Sequence, residues 1–436
     1  MVFTAGPGNG GRGGIRTPGA AFGRTLDFES SAFDRTQPPF RARTLTHSVC
    51  ADKSEAPGFS QYIVKNSGGV ALDAAPLLRL TGPVIDDAKQ LADFLGPLRQ
   101  AEWLAIDTEA DSLHSYPEKL CLLQVAIPGQ VELVDPLCGM DLDVLWEVLA
   151  DREIMMHGAD YDLRLLQSGH DFVPTRIFDT MLAGRLLGRE KFGLADLVQH
   201  YLGITLEKGS QKANWAKRPL TSQMAEYARN DVLHLHDLVM CLREELQEKG
   251  RGEWHAQECA QLIKENTNLP APDPDHIWRV KGSNRLLPAA LAVLRELWHW
   301  REREARRRYR PPFFVLSHDL ILNLADKATH GDDYARLLPR RIPDRRRQAI
   351  RKVIDRGVSM PPVDHPQPIK PPRRRNMSAQ QKNQFEELQE RRNKHAEELG
   401  IDPTIIASRA TLMGLAQETE ESIAGLQDWQ RELLAV

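Results

Sequence analysis

The sequence predicts an α/β domain built on a mixed sheet with flanking helices, followed by two small all-α units. Three observations lead there. Short apolar runs of strand character crowd residues 60 to 150, helix-length segments closed by glycines dominate from 160 onward, and strand-like runs vanish after about 270. At 436 residues the chain has room for two or three domains.

Composition narrows the class. Charged residues make up 27% of the chain, and no apolar run approaches the roughly 20 residues that cross a bilayer. No apolar core follows the N-terminus as a signal peptide requires. Cys50, Cys121, Cys138, Cys241 and Cys259 are scattered, odd in number and without a C-x-x-C pair. That argues against a disulfide framework or zinc site and for a reducing, cytoplasmic setting. The net charge of −3 hides an asymmetry: Arg295 to Arg375 holds 18 Arg and 3 Lys against 10 acids. A cationic stretch beside a strongly acidic remainder suggests an enzyme joined to a polyanion-binding module.

Taken in order, residues 1–58 ("GPGNGGRGGIRTPG" and its surroundings) lack periodicity and read as a disordered arm, or as a gene-start artefact. "WLAID", "LCLLQVAI" and "QVELVD" read as strands, the last two joined in a hairpin by Pro128-Gly129, and "EIMMHGA" as a fourth. "YDLRLLQSG", "DTMLAGRLLG" and "FGLADLVQHYLG" read as helices ended by Gly169, Gly188 and Gly203. A long helix is expected from about Thr221 into "LREELQEKG", with a buried stripe of Met224, Ala228, Val232, Leu235, Val239 and Leu242. The domain so defined spans 59–270. A helical domain follows over 283–360, a basic Pro-rich linker over 361–377 and a second helical domain over 378–436.

The chemistry starts at residues 103–109, "WLAIDTE". Positions i and i+2 of a strand face the same side, so Asp107 and Glu109 project together at the strand's carboxyl end, where α/β folds open their crevices. Adjacent carboxylates in a partly buried cleft are unfavourable unless one is protonated or a cation lies between them. Oxygen-only ligands point to Mg²⁺ or Mn²⁺. Asp162 falls in the first turn of the helix after the fourth strand, with Asp160 as a rival N-cap. Tyr227 and Asp231 stack at i, i+4 on the long helix. Four carboxylates and a tyrosine around one crevice suit two divalent ions about 4 Å apart, an arrangement used for in-line attack on phosphodiesters.

D-x-E, then H-x4-D-L, then Y-x3-D, in this order, resembles the DEDD exonuclease superfamily in its tyrosine-bearing branch, and its ribonuclease D family most. "YPEKLCLLQVA", "LVDPL", "FDTMLAGRLLG" and "NWAKRPLTSQMAEYARNDV" extend the likeness. It implies a ribonuclease H-like fold and a 3′→5′ exoribonuclease that releases nucleoside 5′-monophosphates and trims tRNA precursors. It further implies Asp107, Glu109, Asp162 and Asp231 as ligands of two Mg²⁺ or Mn²⁺ ions, with Tyr227 orienting and helping to deprotonate the attacking water. A free tyrosine has a pKa of about 10, so Tyr227 is expected to act by positioning as much as by basicity. "LWHWREREARRRYRPPFFVLSHDLILNLA" looks like the helical nucleic-acid-binding HRDC domain, and "LQERRNKHAEELGIDPTIIASRATLMGLA" like a divergent second copy. RNA is the expected partner, bound by a monomer. His114, Trp215 and Arg218 are candidate substrate contacts, by stacking and phosphate contact. His157 is expected as a hydrogen-bonded core histidine, and Asp179 as the N-cap of "TMLAGRLLG". The alternatives are a DNA 3′→5′ exonuclease of the proofreading or Werner type, and an inactive RNA-binding scaffold. No polymerase or helicase segment accompanies the domain, and all five site residues are present.

Overall fold

Five strands form one sheet: β1 (Leu104–Ala110), β2 (Leu120–Ile127), β3 (Gln130–Val134), β4 (Glu153–Met156) and β5 (Arg176–Asp179), in the spatial order β3-β2-β1-β4-β5. β1, β2 and β3 pair antiparallel, while β4 and β5 add in parallel on the far side of β1. The sheet is therefore mixed, as predicted. This computed structural model describes residues 82–207, 209–369 and 377–436. The arm expected over 1–58, the first part of the domain expected from 59, and residues 370–376 of the linker lie outside the described residues.

Strand alternation divides the core. Leu104, Ile106, Leu123, Val125 and Ile154 face α1 (Ala88–Gln100), α2 (Asp143–Ala150) and α3 (Asp160–His170), against Phe94, Leu98, Leu145, Leu149, Leu163 and Leu166. On the opposite face Ala105, Ala126 and Met155 join a core with α4 (Thr180–Leu186), α5 (Leu194–Leu202), α6 (Ser222–Leu233) and α7 (Leu235–Glu248). α8 (Gly252–Thr267) packs on α3 and β5.

Four features depart from expectation. Residues 60 to 150 hold two helices as well as strands. α1 is capped by Asp87, whose side chain accepts from the Gln90 amide at 2.9 Å, and buries Leu91, Phe94, Leu95 and Leu98 at helical spacing. α2 buries Leu145, Trp146 and Leu149. β5 was not expected: four residues are too few to show alternation, and its partner β4 lies 23 positions upstream in register. The long helix is two, broken at His234, and the predicted stripe runs on through the break with every member buried.

Beyond the sheet, α9 (Pro288–Arg308), α10 (Pro312–Val315), α11 (His318–Thr329) and α12 (Asp344–Val358) enclose their own core of Leu291, Leu294, Leu297, Ile321, Leu324, Ile350 and Ile354. Trp278 and Val280, upstream of the expected boundary at 283, are buried in it. The C-terminal helices α13 (Ala379–Leu399), α14 (Pro403–Ile406), α15 (Arg409–Ala416), α16 (Glu420–Ala424) and α17 (Asp428–Leu434) do not stand apart. Phe385, Leu388, Ile406, Leu412 and Trp429 share one apolar core with Leu197, Leu238 and Leu242. Trp429 stacks on Trp254 at 4.7 Å, and Arg251 donates to the Leu186 and Leu399 carbonyls at 2.6 and 2.7 Å.

Candidate active site

β1 delivers Asp107 and Glu109 to one side of its carboxyl end, and α6 crosses that side with Tyr227 and Asp231. The carboxylates of Asp107, Glu109 and Asp231 converge: one oxygen from each lies within 4.8 Å of the others, and all three residues are partly exposed. A ligand can thus reach them from solvent. Asp162, in the first turn of α3, is buried and accepts a hydrogen bond from the Thr108 hydroxyl. Three of the four expected ligands therefore meet directly. The fourth stands beside them, held by the residue between the D-x-E acids, and its charge still reaches Asp107 and Glu109.

Electrostatics make the cluster intolerant of its own charge. Burial, followed by the charges of Asp162, Asp231 and Glu109, pushes Asp107 well above the usual carboxylate range. Burial and then Asp231 and Asp162 push Glu109 up to about 9. Burial raises Asp162 to about 6 and Asp231 to about 7. Acids that resist ionisation for want of countercharge, presenting oxygen alone, fit a hard divalent cation. Tyr227 is also pushed upward, first by burial and then by Asp231, Glu109 and Asp107. The shift favours the protonated phenol.

The surroundings separate framework from contact residues. Trp215 is 1% exposed and packs at 6.1 Å from the Tyr227 ring. It is a core anchor under the tyrosine, not the base-stacking surface expected. Arg218 is likewise committed. It ion-pairs with Asp135 and donates to the carbonyls of Cys121, Trp215 and Lys217 at 2.6, 2.7 and 2.9 Å, which fixes the loop before α6. His114 remains exposed, 3.3 Å from the Lys212 carbonyl. His157 is hydrogen-bonded as expected, 2.8 Å from the Thr180 hydroxyl, but partly exposed rather than in the core; desolvation lowers its pKa. Asp160 does not cap α3; it pairs with Arg164 at 3.1 Å. Asp179 caps α4 as expected and also accepts from the Gly158 and Ala159 amides at 3.2 and 2.8 Å, tying the start of α3 to α4.

Two residues escaped sequence reasoning. Thr108 gave a signal in its place between the two acids, but its partner is 54 positions away. Gly209 gave none: a Cβ there would lie 2.1 Å from the Tyr227 ring, so the loop presses its backbone on the tyrosine.

A mixed sheet bearing this acidic cluster and tyrosine defines a class of 3′-5′ exonuclease fold. Residues 83–247 match the 3′-5′ exonuclease family and residues 290–330 the HRDC domain. Ribonuclease D of Pseudomonas paraeruginosa is 30% identical over 374 residues, covering 80% of this chain and 94% of that protein. Ribonuclease D of Zymomonas mobilis is 35% identical over 249 residues, or 56% of this chain and 63% of that protein. The crystal structure of Escherichia coli RNase D superposes with a TM-score of 0.65 at 23% identity, covering 81% of this chain and 96% of that one, a likeness of fold. The chain belongs to the ribonuclease D family. Such exonucleases depend on divalent metal.

Proposed function

We propose that this protein is a 3′→5′ exoribonuclease that releases nucleoside 5′-monophosphates from RNA 3′ ends in the maturation of tRNA. The observation that carries the reading is the convergence of Asp107, Glu109 and Asp231, with Tyr227 one turn before Asp231 on α6. The relative aligned over 80% of this chain and 94% of its own length is a ribonuclease D, and the E. coli protein is described as an exoribonuclease involved in structured RNA processing.

Asp107, Glu109, Asp162 and Asp231 would hold two Mg²⁺ or Mn²⁺ ions. Bound there, the ions neutralise the phosphate and lower the pKa of water. Tyr227, on the same helix as Asp231, would orient the attacking water in line with the scissile phosphorus. The water oxygen bonds to phosphorus as the bond to the 3′ oxygen breaks, leaving a 5′-monophosphate and a new 3′ hydroxyl. Thr108 fixes the Asp162 carboxylate by donating to it.

The body of the RNA falls to the basic helical unit, where Arg303, Arg306, Arg307, Arg308 and Arg310 are exposed around the end of α9. Residues 377–436 instead carry 11 Asp and Glu against 6 Lys and Arg, a poor phosphate surface. The free thiols of Cys121, Cys138, Cys241 and Cys259 accord with a reducing compartment such as the cytoplasm. The test is purified protein with Mg²⁺ or Mn²⁺ on a 3′-labelled oligoribonucleotide. Rapid loss of label as mononucleotide is expected, abolished by Asp107→Ala. Persistent label, with Asp107→Ala indistinguishable from wild type, refutes the reading.

A further inference from the structure

Gln124, in the middle of β2, is 0% exposed, yet neither its amide nitrogen nor its carbonyl oxygen has a hydrogen-bond partner among the described residues. An unpaired buried carboxamide is disfavoured, and such a group in a native protein calls for an explanation, a functional role among them. Its position says which. The β1–β2 register sets Gln124 directly across from Asp107, and Leu122 across from Glu109. Partners across an antiparallel pair share a face, with Cβ atoms about 4.5–5.5 Å apart. Gln124 thus lies on the face that carries the acids, on the sheet side of Asp107, under the cover of α6.

We propose that Gln124 is a positioning residue for the acidic site: its amide N–H donates to the Asp107 carboxylate in the ion-loaded protein and fixes how that carboxylate meets the cation. The residue type suits the task. A fifth carboxylate at this position adds repulsion, and a lysine competes with the cation for Asp107. A neutral donor orients the acid and leaves its charge to the ion. Rotation about the terminal side-chain torsion, which is soft, turns the amide toward its neighbour.

The inference rests on the divalent-metal reading of the site but not on RNA being the substrate. It is tested on the full chain by calorimetric titration with Mn²⁺, alongside a urea unfolding curve. Gln124→Met keeps the length and removes both polar atoms. It is expected to hold or raise the urea midpoint while weakening Mn²⁺ binding about 10- to 100-fold, the usual cost of losing a group that orients a metal ligand. Leu122→Met, across from Glu109, is expected to leave Mn²⁺ affinity unchanged.

Gln124→Met protein that binds Mn²⁺ as tightly as wild type overturns the proposal, and so does equal weakening in Leu122→Met, which assigns the effect to packing. If the Met variant unfolds, Gln124→Asn withdraws the amide by one methylene and is expected to weaken binding in the same direction; wild-type affinity there is equally decisive against it. Wild-type protein that takes up no Mn²⁺ removes both this inference and the metal site. Wild-type protein that binds Mn²⁺ but cleaves no RNA removes the exoribonuclease reading alone.

Discussion

Each of the four acids loses hydration that a surface carboxylate keeps, and burial is the leading cause of the upward shift at every one. A carboxyl whose folded pKa exceeds its unfolded value binds more protons in the native state. Stability then falls as pH rises from the unfolded value through the folded one. For Glu109 that window runs from 4.5 to about 9. In EDTA, the melting temperature is expected to drop steadily between pH 5 and pH 9, with Mn²⁺ at pH 8 restoring it; scanning calorimetry checks both. Gly209 offers a sharper test. A methyl group there meets the Tyr227 ring at 2.1 Å, and displacement of about 1 Å in a catalytic geometry can cost 10²-fold. Gly209→Ala is expected to lower kcat by about that factor with Mn²⁺ affinity intact, measured by single-turnover hydrolysis. Neither the loop's approach to the ring nor the Thr108–Asp162 bond was legible in the sequence, because both join segments far apart in the chain. The acids themselves were legible, because strand and helix periods place Asp107 with Glu109 and Tyr227 with Asp231 locally.

At the scale of elements, the 111–119 loop between β1 and β2 links three parts of the molecule. His114 meets the segment before α6, Glu118 accepts from the Tyr161 hydroxyl at 2.8 Å beside Asp162, and Tyr116 donates to Glu302 on α9 at 2.6 Å. Glu302 also pairs with Arg301 at 3.0 Å, their side chains 6% and 3% exposed. Removing Glu302 strands a buried guanidinium, so Glu302→Ala is expected to cost about 3–5 kcal/mol. Tyr116→Phe, which removes one hydrogen bond, is expected to cost about 1 kcal/mol. Urea midpoints separate the two, and equal losses contradict this account. Gly188 follows α4 and Gly203 closes α5 as the sequence predicts, whereas α3 runs past the predicted stop at Gly169 to His170 and closes on Asp171 in the left-handed region. The Asp87-capped helix α1, the strand β5 and the break at His234 are not predicted, since a four-residue strand takes its identity from β4 and the apolar stripe continues across the break.

The whole molecule departs furthest from a string of modules. The C-terminal helices bury Trp429 and Leu412 in the core that also holds Leu238 and Leu242 of α7, and Gly188 approaches Gly400 so closely that a Cβ would lie 1.9 Å from its carbonyl oxygen. Trp429→Ala is expected to cost about 3–5 kcal/mol and lower the unfolding midpoint of the catalytic domain itself. Two separate transitions, with the catalytic one unmoved, would refute the shared core. Sequence by itself determined the mixed α/β class, the local pairing of Asp107 with Glu109 and of Tyr227 with Asp231, and the cationic helical unit, because period and charge are properties of neighbours in the chain. Tertiary structure alone decided that Trp215 and Arg218 serve the framework, that Asp162 is held by Thr108, and that the last helices belong to the catalytic core. Burial and partnership between distant residues arise only when the chain has closed on itself.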